Sequence, residues 1–152
     1  MKTYPYKKEA IEVCALYIQE IIKGKLVTNA LMEAIGEVAN PLKGWCYVAC
    51  ALLYQKFNGE GMNLYKMKDD NDIFHWWIVL DASGEVIDIT REQYEIEGLL
   101  PPYENKTSSN IIEKASLMGF NSYKKKVAAL EEELQTYELQ GLTLDEKLRK
   151  IL

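Results

Sequence analysis

Apolar residues in the first part of the chain recur at helical intervals. Ile11, Cys14, Ile18 and Ile21 lie three or four apart, which predicts a helix over residues 9–22 with Gly24 as its stop signal. A second helix is expected over 29–38, capped by Thr28 and closed by Asn40-Pro41. Residues 40–44 (NPLKG) are turn chemistry. A third helix opens near Cys46 and ends at Asn58-Gly59, and its core stripe is Cys46, Ala49, Cys50, Leu53 and Phe57. After Gly61 the period changes. Residues 63–67 (NLYKM) read as a short strand and 68–72 (KDDND) as a polar turn. Residues 73–80 (IFHWWIVL) are aromatic and β-branched, hence a strand. Asp81-Ala82-Ser83-Gly84 is a turn, and 85–90 (EVIDIT) form the return strand of a hairpin. Residues 91–107 look irregular around Pro101-Pro102. Three more helices are expected: one from Ser108 or Ser109 to Gly119, one over 122–139, and one from Thr143, where Thr143 and Glu146 make a capping box.

Helices, then a small antiparallel sheet, then helices predict one α+β domain over 1–152, with a core at 44–94 and a helical tail at 108–152 packed on it. Tyr123, Val127, Leu130, Leu134 and Tyr137 alternate spacings of four and three. So short a stripe is expected to pack on its own domain rather than form a dimer seam. The length of 152 residues and an apolar share of 48% suit a single folded domain. The net charge of −5 argues against general nucleic-acid binding. No apolar run is long enough for a membrane span, and the N-terminus lacks a signal-peptide pattern. Three cysteines without an export signal suggest reduced thiols in a cytoplasm. A Cys46–Cys50 metal site would find only His75 as a further ligand, so no metal and no cofactor are expected.

Three residues are placed for acyl-transfer chemistry. Cys46 follows Gly44-Trp45 and opens a helix, where unpaired N–H groups and the macrodipole favour an anion. A thiolate is the nucleophile, and an imidazolium beside it helps it form. His75 is the only histidine and lies in a predicted strand, where it could accept the thiol proton and return it to a leaving group. Asp88, in the partner strand, would orient the imidazole. A buried carboxylate demands a partner, and the alternatives to His75 are Thr90 or a backbone amide. The ordinary reading of Cys46 is a small buried hydrophobe. Its helix-start position and matching His and Asp favour the nucleophile, whereas Cys14 and Cys50 read as core.

The parity of the hairpin loop decides which face Asp88 takes. With an even loop Leu80 faces Glu85, Trp77 faces Asp88 and His75 faces Thr90. His75 and Asp88 are then diagonal neighbours on one face. An odd loop with a bulge at Gly84 would send Asp88 to the other face. Trp76 and Trp77 are expected on opposite faces, one toward the helices and the other toward the groove or solvent.

The pieces Gly44-Trp45-Cys46-Tyr47-Val48-Ala49, His75-Trp76-Trp77 and Asp88-Ile89-Thr90 resemble the papain-like and transglutaminase-like superfamily. The stretch 44–94, with Gln93 and Tyr94 following Thr90, is also similar to small proteins that bacteriophages encode. The resemblance covers about the central third of the chain. It implies a papain-like or transglutaminase-like fold and a Cys46-His75-Asp88 triad acting on a peptide or side-chain amide, as a peptidase, amidase, deamidase or transglutaminase. Trp45 and Asn40 are the candidates for supporting the oxyanion. Trp77, Thr90 and Gln93 complete the candidate oxyanion and substrate-binding set. The rival expectation is a non-catalytic protein-binding module on the same fold, in a phage protein aimed at a host factor.

Overall fold

Ile11, Cys14, Ile18 and Ile21 are all buried on one side of α1 (Lys8–Lys25), so the first apolar stripe is the inner face of the first helix. The structure, a computed structural model, describes residues 1–25, 45–104, 111–119 and 121–152. The helix expected over 29–38 with its Thr28 cap, the 40–44 turn and the candidate Asn40 lie outside the described residues. Helix α1 runs through Gly24 to Lys25 instead of stopping before it. A single glycine costs a helix only about 1 kcal/mol, which packing outweighs.

Helix α2 (Cys46–Lys56) is apolar nearly all round, because it packs on several sides at once. Tyr47, Val48, Ala49, Cys50, Ala51, Leu52 and Leu53 are all buried there. It ends at Phe57, where Asn58 (φ 53°) and Gly59 (φ 67°) turn left-handed. Strands β1 (Met62–Lys68) and β2 (Phe74–Leu80) then pair antiparallel, with Met67 opposite His75 and Leu64 opposite Ile78. The polar turn between them is built on Asp69, whose Oδ1 accepts the N–H groups of Asn71 and Ile73.

The hairpin register is the even-loop one. Ile78 pairs with Ile87 and Val79 with Val86, and the Leu80 N–H donates to the Glu85 carbonyl at 2.9 Å. The return strand β3 is only Val86–Ile87, shorter than the expected 85–90, because the chain turns at Asp88 into helix α3 (Glu92–Ile96). The stretch expected to be irregular therefore holds α3 and a 3-10 turn, Pro102–Glu104.

The tail also departs from the expected helices. Residues expected in a helix ending at Gly119 form strand β4 (Glu113–Ala115), which adds to the open edge of β1 with Leu64 opposite Ala115. The sheet order is β3-β2-β1-β4. From residue 121 on, the tail is two helices with one hairpin between them. Helix α4 (Asn121–Thr136) stops short of 139 because β5 (Glu138–Leu139) pairs with β6 (Leu142–Thr143). Helix α5 (Leu144–Ile151) begins at Thr143 with the expected capping box to Glu146. Val127, Leu130 and Leu134 are buried in the shared core, with Tyr123 and Tyr137 packed against it.

Among the described residues the protein is therefore α+β, with five α-helices and a small antiparallel sheet. The two faces of β2 do different work. Trp76, Ile78 and Leu80 join the helices in the main core, with Met62 and Leu64 beside them. His75 and Trp77 point the other way. Tyr94 and Tyr103 cover them there, from the segment 91–104. No described helix is long and apolar enough to cross a membrane.

Candidate active site

Cys46 is the first residue of α2, and its N-cap Trp45 supplies no side-chain cap. Trp45 therefore does not bring the first-turn N–H groups the side-chain acceptor that a Ser, Thr, Asp or Asn would. The helix crosses β2 so that the Cys46 thiol lies 3.8 Å from the Phe74 carbonyl and the Cys50 thiol 3.4 Å from that of Trp76. Cys46 is partly exposed, while Cys50 and Cys14 are buried. Burial pushes the Cys50 thiol well up and the Cys14 thiol up to about 12, so both stay protonated and inert.

His75 lies on the strand end next to Cys46, and both line one cavity of about 270 Å³. Ile73, Phe74, Gln93, Tyr94 and Leu99 share its wall. The imidazole is tied at both nitrogens. Its Nε2 is 2.6 Å from Asp88 Oδ2, and its Nδ1 is 3.2 Å from the Gln93 side-chain nitrogen. The ring stacks at 5.9 Å on Trp77 and at 6.2 Å on Tyr103, and it meets Tyr94 edge-on at 4.9 Å. Burial lowers the basicity of His75. Hydrogen bonds with Asp88 as acceptor and with Cys46, and the charges behind them, overcome that and push its pKa up to about 9.

Asp88 is the carboxylate that the hairpin register promised, with its side chain only 2% exposed. Burial at that level requires full hydrogen bonding. Oδ1 accepts the Thr90 N–H at 3.2 Å, and Oδ2 accepts both His75 and the Tyr103 hydroxyl, the latter at 3.0 Å. Both partners weighed in the sequence, His75 and the backbone of Thr90, are thus present together.

Cys46, His75 and Asp88 are therefore brought together. The other candidates take different places. Trp45 packs against the core at the start of α2. Trp77 is buried between Tyr65, His75 and Tyr103, so it braces the imidazole from behind. Thr90 is buried as well; its Oγ1 takes an N–H of Gln93 at 2.9 Å while its own N–H holds Asp88. Gln93 alone of this group reaches the cavity. Its amide suits either state of the ring: its N–H meets a bare Nδ1, and a half-turn offers its oxygen to Nδ1–H.

Two further residues brace the site without having been singled out for it in the sequence. Tyr94 donates to Asp69 Oδ2 at 3.1 Å, which ties the β1–β2 turn to the wall behind His75. Tyr103 comes from a proline-flanked 3-10 turn that carries no periodicity. Its side of the site is closed by Arg91, which donates to the Tyr103 hydroxyl and grips Glu104 through two hydrogen bonds of 2.8 Å. Among the described residues no cluster of histidine, cysteine and carboxylate side chains is placed to hold a metal ion.

Residues 36–137, which span all of these groups, match a family described as YunG protein. No curated protein matches the chain, and no solved structure does.

Proposed function

The chain belongs to the YunG family, and we propose that it is a cysteine-dependent acyl-transfer enzyme on a papain-like or transglutaminase-like fold. The observation that carries this reading is the meeting in one cavity of Cys46 at a helix start and of His75, itself held at 2.6 Å by the buried Asp88. The fold reading rests on a cysteine-bearing helix crossed over an antiparallel sheet whose neighbouring segments carry the histidine and the carboxylate.

The substrate is a peptide or a side-chain amide. Cys46 Sγ attacks its carbonyl carbon. Because Nε2 is engaged by Asp88, the thiol proton goes to Nδ1 of His75. First-turn N–H groups of α2 hold the negative oxygen of the tetrahedral intermediate. His75 then gives the proton to the departing amine, which leaves a thioester on Cys46. Water or a second amine attacks that thioester, loses a proton to His75, and the acyl group departs as acid or as new amide while the thiol is restored. Asp88 fixes the ring orientation and stabilises its charged form throughout.

An activated ester tests this reading without knowledge of the natural substrate. Exposure to p-nitrophenyl acetate is expected to release nitrophenol and to leave one acetyl group on the Cys46 peptide, as seen by mass spectrometry. The Cys46→Ala chain should take up none. Equal acetylation of the two chains, or a label that spreads over surface lysines and spares Cys46, would overturn the assignment. A stable stoichiometric partner held equally by wild type and Cys46→Ala would then point to a binding module.

A further inference from the structure

Asp88 Oδ2 has two donors. The His75 ring approaches it at 2.6 Å and the Tyr103 hydroxyl at 3.0 Å. A phenol that donates to a carboxylate must find its own donor elsewhere, and here Arg91 Nη1 supplies it at 2.9 Å. Arg91 is held in turn by the forked pair to Glu104 and by Glu95 at 3.0 Å. A continuous chain of hydrogen bonds thus runs from the surface pair Arg91–Glu104, through Tyr103, to the carboxylate that orients the imidazole. Its geometry is over-determined. The Tyr103 ring lies 4.8 Å from Trp77 and stacks on His75, so the hydroxyl has little freedom to leave Oδ2.

We propose that Tyr103 is a positioning residue of this site: its hydroxyl, polarised by Arg91, shares the Asp88 oxygen that holds His75 and so moderates how strongly that carboxylate pulls on the imidazole. A carboxylate lone pair given to a second donor has less charge to offer the first. The ring is thereby kept from being so firmly protonated that it cannot pass its proton to a leaving group. This assignment rests on the acyl-transfer reading for its purpose. The hydrogen-bond relay itself does not depend on catalysis.

The tyrosine stays a donor across the working range, because burial and the neighbouring Asp88 charge raise its own ionisation far above neutrality. Removing the hydroxyl is therefore a clean operation, since Tyr103→Phe keeps the ring that packs on Trp77.

The chain has a single histidine, so long-range nitrogen–proton NMR of the labelled chain reads one imidazole without overlap. Tyr103→Phe is expected to raise the His75 titration midpoint by about half to one pH unit, as the loss of one hydrogen bond to a carboxylate requires. Arg91→Gln should move it the same way by a smaller step. The pH profile of Cys46 alkylation should move in parallel. A Tyr103→Phe midpoint equal to that of the wild type, in a chain with unchanged amide dispersion, would overturn the relay. If Cys46 alkylates at the same rate with and without His75 while the midpoint still rises, the enzyme reading fails and the relay stands.

Discussion

At the scale of single residues, a buried imidazole ordinarily prefers to be neutral, yet Asp88 and Cys46 reward the charged ring more than burial penalises it and push the His75 pKa up to about 9. Replacing Asp88 with Asn removes the largest of those favourable contributions. The midpoint is then expected to fall below about 7, where desolvation dominates, and the same NMR titration reads it. The stability consequence follows from the direction of the shift. The folded-state pKa of about 9 lies above the ordinary 6.5, so the pair stabilises the native state fully below pH 6.5 and loses that contribution as pH rises through about 9. Up to about 3 kcal/mol is involved. Urea denaturation of wild type and Asp88→Asn at several pH values should show a gap that narrows over that window. A constant gap would contradict the linkage. Cys46, His75 and Asp88 were legible in the chain because chemistry limits which residue types can serve. Tyr103 was not, since an aromatic residue in an aperiodic loop looks the same whether it braces a site or covers a core; Tyr94 stood in the resembling stretch, but nothing there announced its bond to Asp69.

At the scale of elements, the loop of residues 81–84 sets which face Asp88 occupies. Four residues keep Leu80 opposite Glu85, whereas the sequence alone left an odd loop with a bulge at Gly84 equally open. Inserting one glycine between Ser83 and Gly84 shifts the register by one and turns Asp88 away from His75. The expected result is a His75 midpoint close to or below the unperturbed value and at least tenfold slower acetylation of Cys46. Gly84→Ala is the control. Gly84 is left-handed at φ +69° with open space around it, so alanine costs about 1 kcal/mol of backbone strain and leaves the register alone. Acetylation should survive it. The elements misread from sequence share a cause. Strand β4 exists because β1 has an unpaired edge that needs covering, a tertiary demand that local propensity does not carry. Helix α3 has five residues, too few to register a period beside two prolines.

At the scale of the whole molecule, the terminal helices hold the platform on which α2 aims Cys46. Lys56 at the end of α2 is buried against Glu131 of α4 at 2.6 Å, and its ammonium also donates to the Lys2 carbonyl at 3.0 Å. The Tyr17 hydroxyl of α1 reaches the Leu142 carbonyl at 2.7 Å. Glu131→Ala would strand a buried ammonium and is expected to cost about 3–5 kcal/mol in urea denaturation. Pairing it with Lys56→Met should restore most of that loss, since the uncompensated charge is gone. Equal losses in the single and double variants would show that the pair is not a coupled unit. The α+β order of helices around a small sheet was visible in the change of hydrophobic period after Gly61. The Lys56–Glu131 link was not, because two ordinary charged residues 75 positions apart announce nothing until the fold joins them.

The proposed chemistry depends on His75 activating Cys46. The direct measurement is the rate of carbamidomethylation at Cys46, followed by peptide mass spectrometry at neutral pH, in wild type and in His75→Asn. The wild-type sulfur should react at least about tenfold faster, as expected when an adjacent imidazolium favours the thiolate. Equal rates in two folded chains would mean that the sulfur and the ring are neighbours without being partners.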